Sequence, residues 1–204
     1  MGFYSEKIFP YLCDRSMKMK ILDPYRSDVL KTVRGNILEI GFGTGANLRY
    51  YPPAIQKITV LEPNRGMNKY AQEALQKRKM AIEKVEGKAE SMPFEPETLD
   101  TVVSTLTLCS VGEPVSALRE IHRVLKPGGI FLFFEHGLAN HSGIVKWQNR
   151  LNGINKALAD GCNINRDMKT LIEQAGFKFD ALDNFYLPKG PRTHGYIYKG
   201  VATK

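Results

Sequence analysis

In this chain of 204 residues the types and spacing best suited to chemistry lie in segment 37 to 47, Ile-Leu-Glu-Ile-Gly-Phe-Gly-Thr-Gly-Ala-Asn. An apolar run, Asn36 to Ile40, ends in three glycines at alternate positions, Gly41, Gly43 and Gly45. Glycine permits a tight turn and lets a ligand lie against the main chain. A strand that enters such a turn and then a helix cradles an adenosine-type cofactor. Glu62 ends the next apolar run, 21 residues after Gly41, where an acidic side chain can accept hydrogen bonds from a ribose diol.

Gly41, Gly43 and Ala46 also satisfy the G-x-G-x-x-G/A pattern of dinucleotide sites, so the loop alone leaves two cofactor classes open. Glu39, two residues before the first glycine, separates them. Its carboxylate would oppose a pyrophosphate but suits the ammonium of a cationic amino-acid cofactor. S-adenosylmethionine carries that ammonium and a sulfonium besides, so charge favours it over NAD.

The elements that must hold these residues follow from periodicity. Short apolar runs, Asn36 to Ile40, Lys57 to Leu61, Leu99 to Ser104 and Gly129 to Phe134, alternate with helical or turn-like stretches, the pattern of a buried parallel sheet. Pro114 suits the first position of a helix whose Val115, Leu118, Ile121 and Leu125 share a face, closed by Pro127-Gly128-Gly129. Helices are also predicted over 65–78 and 166–175, the latter ended by Gly176. A weaker strand lies near 82–86. Strands over 177–182 and 196–201, joined by turn residues without a helix, are expected to be antiparallel. The predicted fold is α/β, a Rossmann-like doubly wound, mostly parallel sheet of about seven strands with an antiparallel last strand, plus an N-terminal helical lid. No linker divides it, so 1–204 is read as one domain, with 1–35 as lid and about 137–165 as a substrate-covering insert.

LEIGFGTG (38–45), VLEPN (60–64), AESMPFEPETLDTVV (89–103) and REIHRVLKPGG (119–129) resemble the successive motifs of class I S-adenosylmethionine-dependent methyltransferases, in the branch that includes the ubiquinone/menaquinone C-methyltransferases. The resemblance implies that Glu39, Gly41, Gly43 and Gly45 hold the methionine end and Glu62 the ribose; Asn47, on the same loop, is a further candidate cofactor contact. It assigns Pro63 and Met67 to the faces of the adenine, Ala89 and Glu90 to its edge, and Thr105 and Leu106 to the methionine side. Lys88 stands where many relatives have aspartate, which shifts the adenine-edge contact to the Ala89 backbone or Glu90. TLTLCSV (105–111), FEHG (134–137), DGCNINRDM (160–168) and AGF (175–177) resemble a narrower group that includes the animal alkyl-thiol S-methyltransferases. In that group a histidine is common where this chain has Asn163.

Methyl transfer from a sulfonium is an in-line displacement on an activated carbon, so alignment and desolvation carry much of it. A thiol or phenol acceptor must also lose a proton, and His136, at the carboxyl end of its strand, is the candidate catalytic base. His122 reads as structural. Tyr11, Cys109, Asp160 and Asn165 are the candidate acceptor contacts, Asn165 alternatively capping the helix from Arg166. Cys109 and Cys162 raise a metal or metalloid reading, but only Cys13 stands as a third cysteine, so no metal is expected.

Net charge is +8. Residues 1–35 hold seven Lys/Arg against four Asp/Glu, residues 185–204 four against none, and the middle 18 against 17. A basic cleft for nucleic acid is therefore not expected, and the D-P-P-Y type motif that seats a flipped base is absent. The partner is read as a small molecule, with peripheral contact to an anionic membrane surface through the basic termini as an alternative. With three scattered cysteines and no long apolar span, the chain reads as cytoplasmic.

Overall fold

Parallel strands require crossovers, and the predicted alternation supplies them. The computed structural model describes residues 2–76, 78 and 80–204. Its strands are β1 (Ile37–Ile40), β2 (Lys57–Leu61), β3 (Ala81–Val85), β4 (Leu99–Thr105), β5 (Leu125–His136), β6 (Lys178–Tyr186) and β7 (Tyr196–Thr203). They form one sheet in the order β3-β2-β1-β4-β5-β7-β6. β1 to β5 pair in parallel, whereas β7 runs antiparallel to both β5 and β6. The direction of winding reverses between β1 and β4, which opens a crevice at the carboxyl ends of those strands.

Successive residues of a strand face opposite ways, and both faces of this sheet are covered. Leu38, Val102 and Phe131 pack on one side with Leu118 and Ile121 of α4 (Pro114–Val124) and Ile172 of α6 (Met168–Gln174). Ile37, Val103 and Leu132 pack on the other with Leu30 of α2 (Asp23–Leu30) and Ala71 of α3 (Asn68–Gln76). Burial on both faces explains why these strands read as continuous apolar runs rather than as alternation.

Several elements depart from expectation. The glycine loop enters only a 3-10 turn, Leu48–Tyr50, because Pro52 and Pro53 forbid a longer helix. The helix predicted from Arg65 begins as a 3-10 turn, Arg65–Met67, before α3; Lys77, near its predicted end, lies outside the described residues. Strand β5 starts directly after α4, with a register shift that absorbs the Lys-Pro-Gly-Gly stretch. The predicted helix from Arg166 starts at Met168, and its cap is Asp167, whose side chain accepts from Thr170 N.

Helix α5 (Ser142–Leu158) was not legible at all. Its apolar residues Trp147, Ile154 and Leu158 face solvent, and its one buried side chain is polar. Gln148 accepts from Ala139 N and donates to the carbonyls of Gly137, Ile164 and Thr193, all within 3.0 Å. A buried amide with its hydrogen bonds satisfied fixes the insert as firmly as an apolar contact would, without leaving a hydropathy pattern.

The N-terminal segment is helical as expected: a π-helical turn, Tyr4–Ile8, runs into α1 (Phe9–Met17), with Pro10 near its start. The C-terminal cations are less free than the charge count implied. Lys199 bonds Asp28 and Asp183, and Lys204 bonds Glu97.

Candidate active site

Glu39 projects from β1 with 2% of its surface exposed. Tyr51 donates its hydroxyl to Glu39 at 2.7 Å and Asn47 its amide at 2.9 Å. Asn47 also donates to Thr105 Oγ1 at 2.8 Å, and the guanidinium of Arg26 donates to both Asn47 and Thr105. Burial pushes the Glu39 carboxyl up to about 7, against the lowering pull of its two donors and of Arg26. A carboxylate and a guanidinium thus lie under the glycine loop, joined through Asn47 rather than paired directly. They line a cavity of ≈ 50 Å³ with Gly41, Gly43, Asn47, Thr105 and Leu106.

A larger cavity of ≈ 370 Å³ continues over Glu62, Pro63, Met67, Ala89, Glu90 and Leu106, a size suited to a drug-sized ligand. Glu62 accepts from the backbone N–H groups of Gly43 and Asn64, each at 2.7 Å, and burial raises its carboxyl pKa. Glu90 Oε1 accepts from Gly112 and Glu113 at the start of α4, so one of its oxygens is already engaged. Leu106 closes the floor at φ 54, a left-handed conformation that a leucine adopts only under constraint.

The residues fit an adenosylmethionine. A Cβ at Gly43 would meet only Gly41 O, at 3.7 Å, and would occupy the cradle itself. At Gly41 it would strike Thr107 at 2.2 Å. Thr44 Oγ1, on the same loop, is buried without a partner. The donor set is right as well, with one carboxylate at the end of β1 for a cation and one at the end of β2 for a diol.

Of the predicted cofactor residues, Gly45 stands apart. Its φ of 74 favours glycine, and a Cβ there would press on Ala74, Leu48 and Phe42 at 3.1 to 3.3 Å, so its glycine serves the turn and its packing against α3. The predicted acceptor contacts scatter. Asp160 lines the larger cavity and accepts from Ser5 Oγ at 2.7 Å. Tyr11 is 53% exposed and lines neither cavity. Phe9, Cys13 and Met17 line them instead, at a spacing of four that places them on one face of α1, opposite Tyr11. Asn165 does not cap α6 and lines neither of the two cavities described; it donates to Asn149. Cys109 is buried behind the wall, and His136 lines neither cavity, its Nε2 lying 3.2 Å from Cys162 Sγ. His122 packs edge-on against Phe177, as a structural residue would.

Arg26, Tyr51 and Glu135 went unnoticed in the sequence. Glu135, fully buried at the end of β5, accepts from Ser104 Oγ and Thr107 N and so holds the loop that carries Leu106. In the Phe-Glu-His-Gly motif the histidine is the titratable group that stands out near neutral pH, while a carboxylate at a strand end carries no sign of its burial. Arg26 had no local signal, since a single arginine in a charged segment reads as surface.

A family profile described as "Methyltransferase domain" matches residues 38–133. The thiol S-methyltransferase TMT1B of Rattus norvegicus is 36% identical over 172 residues, covering 80% of this chain and 70% of that protein. The thiol S-methyltransferase TMT1A of Homo sapiens is 36% identical over 173 residues with the same coverage. Among solved structures, a SAM-dependent methyltransferase from Thermotoga maritima superposes with a TM-score of 0.67 at 18% identity, covering 98% of this chain and 99% of that one. One from Aquifex aeolicus gives 0.66 at 18% identity, covering 95% and 97%. With the 3-2-1-4-5-7-6 sheet, the glycine cradle and the two strand-end carboxylates already described, the chain belongs to the class I S-adenosylmethionine-dependent methyltransferases.

Proposed function

We propose that this enzyme methylates the sulfur of a small, apolar thiol. The observation that carries this reading is the 36% identity, along 80% of the chain, to enzymes named thiol S-methyltransferases. The cavity is in keeping with it, for Phe9, Met67, Leu106 and Val111 give it apolar walls and Asp160 a single carboxylate on the lid side. S-adenosylmethionine supplies a methyl carbon already activated by its sulfonium. Glu39, Gly41, Gly43, Asn47, Thr105 and Leu106 would hold its amino-acid end, Glu62 its ribose, and Pro63, Met67, Ala89 and Glu90 its adenine. Within one domain, residues 1–35 act as the lid and 137–165 cover the acceptor. Phe9, Cys13 and Met17 exclude water, which strengthens every charge interaction beneath them.

Asp160 is suited to accept the hydrogen bond of the acceptor S–H, in place of Ser5, and so to hold the sulfur in line. Its backbone is left-handed at φ 46, a conformation kept by its surroundings. Asp160→Asn is expected to lower kcat/KM for an alkyl thiol by roughly tenfold, the low end for a hydrogen bond to a charged group. A panel of alkyl thiols, phenols, quinols and phospholipid amines tests the reading: methylation of thiols supports it, and turnover confined to another class overturns it. A small acceptor rather than nucleic acid is in keeping with the paired C-terminal lysines. Three free cysteines suit a cytoplasmic setting; among the described residues no helix is long and apolar enough to cross a membrane.

The buried Glu39 gives the cofactor step a pH dependence. An ammonium requires the ionised carboxylate, whose pKa of about 7 lies within the working range. Affinity for S-adenosylhomocysteine should therefore be full above pH 8 and about tenfold lower at pH 6, one unit below that pKa. Below pH 7 each binding event should release a proton. Calorimetry in two buffers of different ionisation enthalpy measures both, and a flat profile between pH 6 and 8 removes Glu39 from the ammonium site.

A further inference from the structure

Behind the wall of the larger cavity, three side chains from distant parts of the chain converge. Cys109 comes from the loop after β4, His136 from the end of β5 and Cys162 from the loop after α5. Their ligating atoms all lie within 4.8 Å of one another. His136 Nε2 is 3.2 Å from Cys162 Sγ, and Cys109 Sγ lies within 4.8 Å of both atoms. The imidazole makes no other bond, since its Nδ1 is buried without a partner. All three cysteines of the chain are free, so neither thiol is held in a disulfide, and Cys109 Sγ has only a 3.7 Å contact with Ser110 Oγ besides.

From this geometry we infer that Cys109, His136 and Cys162 form a binding site for one thiophilic divalent cation of the Zn²⁺ class. Zinc bonds of about 2.3 Å to sulfur and about 2.0 Å to nitrogen give tetrahedral edges of about 3.8 Å between sulfurs and about 3.5 Å between sulfur and nitrogen. The observed separations, none above 4.8 Å, close on such an ion with shifts of at most about 1.3 Å. Binding exchanges the two thiol protons for two metal–sulfur bonds, so the dithiolate balances the charge of the cation and two protons pass to solvent. Three protein ligands leave a fourth position for water or an added thiolate.

The scaffold is already set. Asn163 N donates to Cys109 O at 2.8 Å, and its side chain donates to the same carbonyl, which ties the two cysteine loops together. Asn155 donates to Cys162 O at 2.7 Å. His136 is held in register with Ile197 on β7. Ser110 and Asp160, beside Cys109 and Cys162 in sequence, line the larger cavity. A bound cation would therefore brace the wall against which the acceptor rests, without entering the cofactor site.

The test uses the reduced, full-length protein and Co²⁺ as a coloured stand-in, with no methyl donor or acceptor present, so it is independent of the proposed thiol substrate. One equivalent should bind with tetrahedral ligand-field bands and a thiolate charge-transfer band, and Zn²⁺ should displace it. Loss of an outer-sphere partner alone weakens metal sites 10–100-fold, so Cys162→Ser should weaken Zn²⁺ binding by roughly 100-fold or more. His136→Gln should do likewise and keep the charge-transfer band of two thiolates. Cys109 is fully enclosed, so Cys162→Ser, at a half-buried position, is the decisive variant, with circular dichroism confirming its fold. No uptake by the reduced protein, an octahedral spectrum without thiolate bands, or affinity unchanged in Cys162→Ser would each overturn the site.

Discussion

Glu62→Ala should weaken binding of S-adenosylhomocysteine by roughly 10- to 150-fold, the equivalent of about 1.5–3 kcal/mol for a charged hydrogen-bonding group. The carboxylate is well placed for a diol, at the end of β2 beside the glycine loop, and in the ligand-free protein it accepts from Gly43 N and Asn64 N. Stability should move far less than affinity. Burial raises the Glu62 carboxyl pKa, so removing the charge relieves a desolvation cost that offsets the two lost hydrogen bonds. Calorimetric titration and a thermal melt on the same protein separate the two effects. An unchanged dissociation constant would take Glu62 out of the site, and a collapsed melt would make it a residue of the fold.

Arg26→Ala should have the largest effect on stability, about 3–5 kcal/mol in urea unfolding, the range for removing one member of a buried ionic network. Arg26 is 2% exposed and its guanidinium donates to Asn47 and Thr105; Asn47 in turn donates to Glu39 and to Thr105. Its loss leaves the polar ends of Asn47 and Thr105 short of a donor and opens a cavity under α1. Glu39 would also lose a positive neighbour that lowers its pKa. The pH at which cofactor affinity falls should therefore rise above the parent value in a variant that still folds. Arg26→Met, which keeps the packing, serves for that measurement. A loss under 1 kcal/mol together with an unmoved pH profile would reduce Arg26 to a space-filling side chain.

Both residues depend on contacts of different range, and that difference explains which parts of the protein could be read in advance. Glu62 is close to Gly43 because a parallel strand pair and a glycine turn place them so, and each of those is written in a local pattern. The β1 run, the glycines and the acidic strand end needed only periodicity and turn chemistry to identify. α4 was nearly as legible from Pro114 and its apolar face, although it ends at Val124, and Leu125 and the Pro-Gly-Gly expected to close it belong to β5. α5 failed for the opposite reason. Its one fully buried side chain, Gln148, is polar and finds its partners at residues 137, 139, 164 and 193, and only Ile144 and Val145 pack against the core while Trp147, Ile154 and Leu158 face solvent, so the hydropathy pattern of its burial is weak.

The lid shows the same divide within a single helix. Its amphipathic character was plain, but which aromatic or apolar residue met the cavity depended on the rotation of α1 about its axis. That rotation is set by Ser5, which bonds Asp160 and whose carbonyl accepts from Asn64. The helix therefore presents Phe9, Cys13 and Met17 inward and turns Tyr11 out. Nothing within nine residues of sequence distinguishes the two choices.

Local pattern by itself determined the sheet and its winding, the glycine cradle and the carboxylates at the ends of β1 and β2, because strand burial, positive φ and strand-end placement are properties of short segments. Tertiary structure alone decided the Arg26 network, the face of the lid and the meeting of Cys109, His136 and Cys162. These side chains come together across 21 to 155 residues of chain, and their separations are set by how helices and loops pack at the sheet's edge rather than by any spacing within a segment.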